Sequence, residues 1–363
     1  MSFIKNISLS LITFISVVKV SASSALCLTP NSHVKMFASS FRSGILERAQ
    51  NIALDKTNFK NSESIHAEND LDLINKITHS FESGCKILVG LYTSKECLLI
   101  GPIAKKNNAI IISPTCGHPD IEQFNGNIFT LVPSLETYMN FVSKALSDED
   151  KKDKDMLVIF QPSDLFSNKS YLLFKSKYMG NIKSLRLNSD GDFYKEDLNL
   201  LAQKYTTIHI LTYPIVAAKA LTELNNKKFI SKDMTLIGSS SWAFDTTVLS
   251  KYIDIVKIFN RSLVPTLMKQ ETLTSSDFYK EYSKKYNEPP LGIHFMGFDA
   301  VNISKECLVK TINKKIDHTL IKKCLIENKF NGVSGKLNFN NKTPFVSREI
   351  YLTNLTKMLQ MQD

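Results

Sequence analysis

Short apolar segments alternate with amphipathic ones along the first part of the chain, and this alternation constrains the fold more than any other sequence feature. Lys86–Gly90 and Ala109–Ser113 have the length and composition of buried strands, and Lys95–Lys106 between them has helical periodicity. The same alternation is present before Lys86, where strands are predicted at Val34–Ser39 and Ser64–Ala67 and helices at Gly44–Lys56 and Leu71–Phe81. Strand, helix, strand in this order predicts a parallel sheet with right-handed crossovers.

A charge cluster, Ser147–Asp155, interrupts the alternation and is typical of a solvated loop at a domain boundary. A second run follows, with strands and helices predicted in turn at Met156–Phe160, Leu165–Tyr178, Ile182–Leu187, Phe193–Lys204, Ile208–Thr212, Val216–Lys227 and Met234–Gly238. Beyond Asp277 the pattern is mostly helical, and it ends in strand-like segments at Lys336–Phe339 and Glu349–Leu352. Two similar halves within 363 residues predict two α/β domains whose strand ends face a shared cleft.

The first 22 residues have the three-part pattern of a secretory signal peptide. Lys5 precedes an apolar run, Ile7–Val18, that is short for a membrane span, and Val20–Ala22 offers small residues for cleavage. Cleavage after Ala25 and an uncleaved anchor are the alternatives. In an exported chain, the six cysteines are expected to form disulfides rather than to bind metal or act as catalytic thiols, since none forms a C-x-x-C pair.

The composition excludes several classes of protein. With 43% apolar and 22% charged residues, the chain is neither wholly disordered nor a polytopic membrane protein. The net charge of +10 is compatible with nucleic-acid binding, but the lysines are scattered and no nucleic-acid motif is present. An AT-rich coding bias explains the charge better, so no nucleic-acid partner is expected. A basic surface still favours anionic ligands or attraction to anionic lipids.

The motifs of common enzyme classes are missing from the sequence. It contains no G-x-G-x-x-G, P-loop or H-E-x-x-H, and Gly238–Trp242 lacks the second glycine of a nucleophile elbow. Asn188–Asp192 resembles a calcium loop whose glycine comes too early, which favours a polar turn. A hydrolase that uses Ser94 or a Cys116–His118 pair is disfavoured, because near neighbours in sequence rarely form a nucleophile and its base. We therefore expect no catalysis, no metal and no cofactor.

Hydroxyl-bearing loops follow two neighbouring strands of the first predicted sheet. Thr93 and Ser94 precede a helix whose N-terminal N–H groups suit a carboxylate or a phosphate. Pro114–Pro119 offers the Thr115 hydroxyl and further N–H groups, and His118 there is either a ligand contact or an exposed turn residue. Because open α/β sheets bind ligands at the carboxyl ends of their strands, these loops predict a binding site. Simple helix capping by Thr93 and Ser94 is the alternative.

Eight segments, spread along most of the chain, match the pattern of a known family in the same order. They are Ile87–Gly90, Ile100–Pro102, Ile110–Pro114, His118–Ile121, Phe129–Ser134, Phe278–Pro290, Gly297–Val301 and Phe330–Phe339. In this order they resemble the amino-acid-binding (leucine/isoleucine/valine-type) branch of the periplasmic binding proteins. The resemblance implies a type I periplasmic-binding fold, in which two α/β lobes joined by three crossover strands close around a ligand. It divides the chain into a signal peptide (1–22), lobe 1 (26–147 plus 263–329) and lobe 2 (148–262 plus 330–363).

The resemblance also implies a function and a set of site residues. The protein would hold a small polar, carboxylate-bearing solute in the periplasm and deliver it to the membrane permease of an ABC transporter or to another envelope protein. By position, the ligand-binding residues would be Thr93, Ser94, Thr115, Cys116 and Gly117 on one lobe and Tyr213, Ser240 and Trp242 on the other. The resemblance also implies three disulfide pairs: Cys27–Cys85, Cys97–Cys116 and Cys307–Cys324.

Two departures from the family pattern affect the expected ligand. The glycine-rich loop after the first strand is shortened here to Ser39–Gly44, and serines stand near Gly238 where the family has an acidic residue. Asp245 is close in sequence but does not match that position. Because an ammonium group is costly to desolvate without a carboxylate partner, a free α-amino acid is disfavoured. The alternative function is a ligand-independent or sensory envelope adaptor on the same fold.

Overall fold

The computed structural model describes residues 25–30, 32, 45–55, 62–147, 155–311 and 317–360. The predicted signal peptide, the predicted strand Val34–Ser39 and the loop Ser39–Gly44 lie outside the described residues, as does most of the charge cluster Ser147–Asp155. Within the described ranges, no helix is long and apolar enough to cross a membrane.

The described elements are as follows. The strands are β1 Leu26–Leu28, β2 Ser62–Ser64, β3 Ile87–Val89, β4 Ile110–Ser113, β5 Ile128–Thr130, β6 Met156–Phe160, β7 Ile182–Arg186, β8 Thr207–Ile210, β9 Thr235–Gly238, β10 Arg261–Thr266, β11 Phe330–Gly332, β12 Gly335–Leu337 and β13 Tyr351–Asn354. The α-helices are α1 Ile45–Asp55, α2 Asp70–Glu82, α3 Ser94–Lys106, α4 Leu135–Ser147, α5 Leu165–Lys177, α6 Pro214–Asn226, α7 Thr247–Ser250, α8 Ile253–Val256, α9 Gln270–Ser275, α10 Asp277–Tyr286, α11 Gly292–Thr311, α12 His318–Glu327 and α13 Leu355–Gln360. Turns of 3₁₀-helix lie at Pro119–Phe124, Lys195–Ala202 and Ser240–Ala243.

The first sheet is parallel throughout, with strand order β2-β1-β3-β4-β5. Its central strands β3 and β4 are buried at every position because helices cover both faces, which explains their unbroken apolar sequences. Gly90 ends β3 at a φ of 136°, and a Cβ there would lie 1.9 Å from Thr29 Oγ1 at the end of β1. The two strands can therefore close together only because this residue is glycine.

The second sheet repeats this arrangement. Its order is β13-β10-β9-β8-β6-β7, parallel except for β13, which runs antiparallel to β10. In each sheet the first strand in chain order lies between the second and the third: β1 lies between β2 and β3, and β6 lies between β7 and β8. The order in which strands are added to the sheet therefore reverses next to β1 and next to β6. Ligands bind at such switch points, in the crevice outside the carboxyl ends of the strands. The predicted α/β class and parallel sheets are confirmed.

The structure differs from the sequence-based elements in a few places. The strand β1, Leu26–Leu28, is fully buried but was not predicted, because three residues are too few for periodicity to be recognised. The predicted helix Phe193–Lys204 is instead the 3₁₀-helix Lys195–Ala202, in which no residue is buried, so no apolar face holds a longer α-helix in place. The predicted C-terminal strands are shifted by one or two residues, to Gly335–Leu337 and Tyr351–Asn354.

The predicted division into lobes stays a prediction, and three contacts bear on its boundaries. Helix α4, within predicted lobe 1, packs against α5 beside the second sheet. The boundary at residue 263 falls inside β10, which pairs with β9 and β13 of the second sheet. Phe339, within predicted lobe 2, contacts Phe129 of β5 edge to face, with 5.5 Å between ring centroids. The chain therefore crosses between the sheets near residues 131–134, 266–270 and 346–350.

The disulfides in the structure are Cys27–Cys85, Cys97–Cys116 and Cys307–Cys324, the three pairs expected above. Their Cα atoms lie 6.1, 6.5 and 5.6 Å apart, within the range that a disulfide spans. Cys27 lies within β1, and Cys85 lies two residues before β3.

Candidate functional site

A cavity lies between the carboxyl ends of the two sheets, at the switch point of each. Its lining residues are Tyr92, Ser94, Thr115, Gly117, Val132, Leu135, Tyr138, Phe166, Tyr213, Ser240, Ser241, Phe244 and Ile293. We call Tyr92, Ser94, Thr115 and Gly117 the first-sheet wall, and Phe166, Tyr213, Ser240, Ser241 and Phe244 the second-sheet wall. The space open to the centre of a water molecule is about 30 Å³, and about 10–15 Å³ is enough for one water. A whole solute therefore enters only when the walls separate.

The N-terminus of α3 forms one end of the first-sheet wall. Thr93 caps the helix, and its hydroxyl and the Glu96 carboxylate form a reciprocal capping box. Glu96 Oε2 accepts hydrogen bonds from the backbone N–H of Tyr92 at 3.0 Å and of Thr93 at 2.9 Å. Ser94 Oγ accepts one from the His118 N–H at 3.2 Å, so its own proton can point into the cavity.

The loop after β4 forms the other half of the first-sheet wall. Ser113 Oγ accepts a hydrogen bond from the Cys116 N–H at 3.1 Å, and Thr115 Oγ1 donates to the Tyr92 carbonyl at 2.6 Å. The first bond closes the loop on itself, and the second ties it to the loop that precedes α3. The Cys97–Cys116 disulfide joins the same two regions from behind, where Cys116 is fully buried. Hydrogen bonds and one covalent bond thus fix the hydroxyl-bearing side of the cavity.

Aromatic rings dominate the second-sheet wall. Phe166, at the start of α5, stacks on Tyr213, which precedes α6, with 4.9 Å between ring centroids. The two rings follow β6 and β8, which are adjacent at the switch point of the second sheet. Asp164 caps α5 by accepting a hydrogen bond from the Ser167 N–H at 2.7 Å. That cap positions Phe166, so the aromatic stack depends on local helix capping.

The turn after β9 completes the second-sheet wall. Trp242 points away from the cavity into the core, where its indole N–H donates to the Thr212 carbonyl at 2.8 Å. Gly238 makes room for it, because a Cβ there would lie 2.1 Å from the indole Cε3. With Trp242 inward, Ser240, Ser241 and Phe244 face the cavity.

Charged groups of both signs lie behind the neutral lining of the cavity: the carboxylates of Asp164 and Glu96 act at Tyr213, and the buried Arg348 guanidinium acts at Tyr138. None of the described lining residues carries a charge. Burial raises the pKa of Asp164 to about 6, against the lowering effect of hydrogen bonds from the Ser167 and Phe166 N–H groups. Burial, with smaller contributions from the carboxylates of Asp164 and Glu96, raises the pKa of Tyr213 well above its usual value. Both carboxylates therefore act at a ring that lines the cavity.

Three further groups near the site have defined roles. Burial lowers the pKa of His118, whose Nδ1 accepts a hydrogen bond from the Asp120 N–H at 3.2 Å. His118 is thus a buried cap of the following 3₁₀-helix rather than an exposed turn residue.

The Asp245 carboxyl accepts a hydrogen bond from the Thr247 N–H at 3.0 Å and does not line the cavity. Tyr138 lines the cavity with a buried hydroxyl that has no hydrogen-bond partner among the described residues.

Of the predicted ligand-binding residues, the structure brings five together around the cavity: Ser94, Thr115, Gly117, Tyr213 and Ser240. The other three lie behind it. Thr93 is occupied as the helix cap, Cys116 is in a disulfide, and Trp242 is in the core of the second sheet. A Cys116–His118 nucleophile and base is thereby excluded, because the sulfur is already bonded to Cys97.

Apart from Tyr213, the aromatic residues that line the cavity were not predicted from the sequence. Tyr92, Tyr138, Phe166 and Phe244 line it but were not predicted. Tyr92 and Phe166 stand directly beside predicted strand ends and caps, so their position carried a usable signal. Tyr138 and Phe244 lie within a helix and after a turn, where an apolar residue in sequence indicates burial but not the direction it faces. The described residues contain no cluster suited to bind a metal ion.

Comparison with known proteins places the fold. No family model matches the chain, and no curated protein sequence matches it. A leucine-binding protein from Thermotoga maritima has the same fold at 16% identity, with a TM-score of 0.75 over 91% of this chain and 94% of that one. A branched-chain amino acid transporter substrate-binding protein from Streptococcus pneumoniae, solved with isoleucine, gives 16% identity and a TM-score of 0.72 over 91% and 95%.

A third solved structure extends this set. It is an ABC-transporter solute-binding protein from Rhodopseudomonas palustris in complex with 3,4-dihydroxybenzoic acid, at 13% identity and a TM-score of 0.73 over 91% of both chains. The chain has the two-lobed type I periplasmic-binding fold. The resemblance stated from the sequence is confirmed at the level of the fold, and the low identity leaves the ligand of this chain to be argued from its own residues.

Proposed function

We propose that this chain is an extracytoplasmic solute-binding protein, which encloses one small solute between its two lobes and has no catalytic step. The observation that carries the proposal is the cavity between the switch points of the two sheets. One sheet contributes a wall with hydroxyl groups, and the other contributes a wall made mostly of aromatic rings. Ligand sites in proteins are commonly mostly apolar with a few convergent polar groups. This cavity has that composition.

A carboxylate or another hydrogen-bonding end of the solute fits one part of the cavity. Ser94 can donate its hydroxyl proton there, beside the N-terminus of the 13-residue helix α3. Tyr138 is only 2% exposed, and its hydroxyl has no hydrogen-bond partner among the described residues. Since an unpaired buried hydroxyl is unfavourable, a solute that accepts its proton recovers that free energy.

Contacts across the cleft support a mechanism of closure around the solute. Helix α3, beside the first sheet, contacts α5, beside the second. At the rim, Lys169 Nζ of α5 lies 3.5 Å from Asp120 Oδ1. The described conformation is thus a closed one, and hinge opening would expose the cavity. In this proposal the closed form in the periplasm presents the solute to a membrane permease of an ABC transporter, because structural neighbours include substrate- and solute-binding proteins of such transporters.

The proposal is tested by thermal unfolding of the mature protein against amino acids, amides, small peptides, organic anions and methylated amines. A solute present at a hundred times its Kd adds about 2.7 kcal/mol to the unfolding free energy. For any solute that stabilises the protein, Tyr138→Phe is expected to weaken binding about five- to tenfold, since only the partnerless hydroxyl is removed.

Ser170→Ala is the matched control. Ser170 also has a buried hydroxyl without a partner among the described residues, but it does not line the cavity. Its removal is expected to leave solute affinity unchanged. A flat response of the wild type across the whole panel would contradict the solute-binding proposal and favour a ligand-independent envelope adaptor on the same fold.

A further inference from the structure

Aromatic rings line the cavity on both sides, and together we call them the aromatic wall; a buried carboxylate lies behind each side. Five of its lining residues are aromatic: Tyr92, Tyr138, Phe166, Tyr213 and Phe244. Among the described residues that line it, none is acidic or basic. An aromatic ring presents a negative face, which attracts a cation without forming a hydrogen bond. The wall is therefore suited to a positive charge that has no N–H group of its own.

The two carboxylates lie on opposite sides of the cavity. Glu96 is behind Tyr92 and Thr93, whose N–H groups it binds at 3.0 and 2.9 Å. Asp164 caps α5 two residues before Phe166 and binds the Ser167 N–H at 2.7 Å. Both are almost fully buried, where a charge acts at longer range than it does in water. Both carboxylates act at the Tyr213 ring, so on that side of the cavity they favour a cationic group over a neutral one of the same shape, whereas the buried Arg348 guanidinium acts on the Tyr138 side.

A primary ammonium does not fit this environment well. It brings three N–H donors, each of which needs an acceptor when water is removed, and neither carboxylate is part of the lining. A quaternary ammonium has a positive charge but no N–H donor. The lack of a lining carboxylate, which disfavours a free α-amino acid, is therefore no penalty for a methylated nitrogen.

We propose that the solute is a small quaternary ammonium compound, whose methylated nitrogen packs against the aromatic wall and whose hydrogen-bonding end reaches the Ser94 and Tyr138 hydroxyls. This inference rests on the proposed solute-binding function and names the ligand class of that same cavity. Glycine betaine, with a carboxylate end, and choline, with a hydroxyl end, are the two simplest members of the class.

The test is isothermal titration of the mature wild-type protein with pairs of equal shape and different charge. Glycine betaine is compared with tert-butylacetate, and choline with 3,3-dimethylbutan-1-ol; in both analogues carbon replaces the charged nitrogen. At least one quaternary compound is expected to bind about tenfold or more tightly than its carbon analogue. The betaine and choline arms distinguish a carboxylate end from a hydroxyl end.

Two variants test the origin of the preference. Asp164→Asn removes a charge but keeps the helix cap, since asparagine caps as well as aspartate. It is expected to weaken binding of the quaternary compound about fivefold without weakening that of its carbon analogue. Phe244→Leu removes a ring but keeps an apolar side chain, and is expected to weaken binding of the cation about tenfold. Ile293→Val, an aliphatic change in the same lining, is the control and is expected to alter affinity by less than about twofold.

Equal or tighter binding of the carbon analogues would overturn the inference, because the cavity would then select shape and apolarity alone. Binding of a primary amino acid but of no quaternary compound would overturn it too, while the solute-binding function would stand. A flat response to the broad panel described above would instead contradict the function itself. Phe244→Tyr, which keeps a ring at that position, is expected to retain the cation preference even if Phe244→Leu folds poorly.

Discussion

The two walls of the cavity are built by different means. Loops that are cross-linked to each other hold the first-sheet wall: a capping box, bonds to Ser113 Oγ and the Cys97–Cys116 disulfide. A buried ring positions the second-sheet wall: Trp242 inserts into the core and leaves its neighbours facing the cavity. The first wall offers hydroxyls and the second offers mostly rings. One side is thus anchored by directional bonds and a cross-link between loops, and the other by the Asp164 helix cap together with packing around Trp242.

This difference predicts what each wall tolerates. A wall held by directional bonds should keep its shape when one side chain is trimmed, provided the cross-link remains. A wall positioned by the packing of one large side chain should lose its shape when that side chain is removed, because the cavity left behind closes only partly. The effects below are arranged from the largest expected to the smallest.

Trp242→Ala should give the largest loss of stability, about 3–5 kcal/mol in the free energy of unfolding. The indole is completely buried and donates to the Thr212 carbonyl at 2.8 Å, so the variant loses its packing and one of the hydrogen bonds to that carbonyl, which Ser239 Oγ also binds at 2.9 Å. Urea denaturation followed by far-ultraviolet circular dichroism measures the effect. Trp242→Phe, which retains a ring, should lose clearly less. A loss below about 1 kcal/mol in the alanine variant would show that packing does not position this wall.

Replacement of Cys97 and Cys116 together by alanine should cost about 3 kcal/mol, from the loop of 19 residues that the disulfide closes. The matched control is the same change at Cys307 and Cys324, which close a similar loop of 17 residues away from the cavity. Both pairs should lower stability about equally in reversible denaturation. Only the first should weaken solute affinity, since Cys116 lies between the lining residues Thr115 and Gly117. Equal effects on affinity would remove the link between this disulfide and the first-sheet wall.

The second-sheet wall should also show a pH-dependent stability that comes from Asp164. Because its pKa rises to about 6 in the folded state from 3.8, the folded protein holds this proton more tightly than the unfolded chain does. The unfolding free energy therefore falls as pH rises between about 4 and 6, by about 2–3 kcal/mol in total. Asp164→Asn should lack this contribution.

The measurement is the difference in unfolding free energy between Asp164→Asn and wild type, at pH values of about 4 and about 8. The difference should shift in favour of the variant by about 2 kcal/mol at the higher pH. Taking a difference is essential, because burial lowers the pKa of both His209 and His294 to about 3, and these groups make stability rise with pH up to about 6.5. A difference that does not change with pH would show that Asp164 is not destabilised by burial.

The smallest effect is expected at the rim, where Lys169 of α5 faces Asp120 across the cleft at 3.5 Å. Both side chains are partly exposed, and such pairs contribute about 0–1 kcal/mol. Lys169→Met should change the unfolding free energy by less than about 1 kcal/mol. Small-angle scattering without solute should show at most a small shift toward open forms. A large opening would mean that this ion pair, rather than the packing of α3 on α5, holds the lobes closed.

The sequence by itself determined the class of fold and the first-sheet wall except for Tyr92. Apolar runs at Ile87–Val89 and Ile110–Ser113, each followed by a hydroxyl-rich loop, indicate parallel strands with a site at their carboxyl ends. Ser94, Thr115 and Gly117 follow from that logic, because a loop directly after a strand has only one sheet edge on which to lie. Periodicity and strand-end position are local properties, so they can be recognised from sequence alone.

Only the tertiary structure decided which side chains lie across the cavity from these residues. Trp242 and Phe244 are both large and apolar, and nothing local indicates that the first enters the core while the second lines the cavity. Tyr138 lies on a helix whose orientation depends on its packing against α5. The placement of the two sheets over one another, through contacts between residues far apart in the chain, selected the aromatic wall. The composition of the cavity, and with it the class of solute, is therefore a property of the closed pair of lobes.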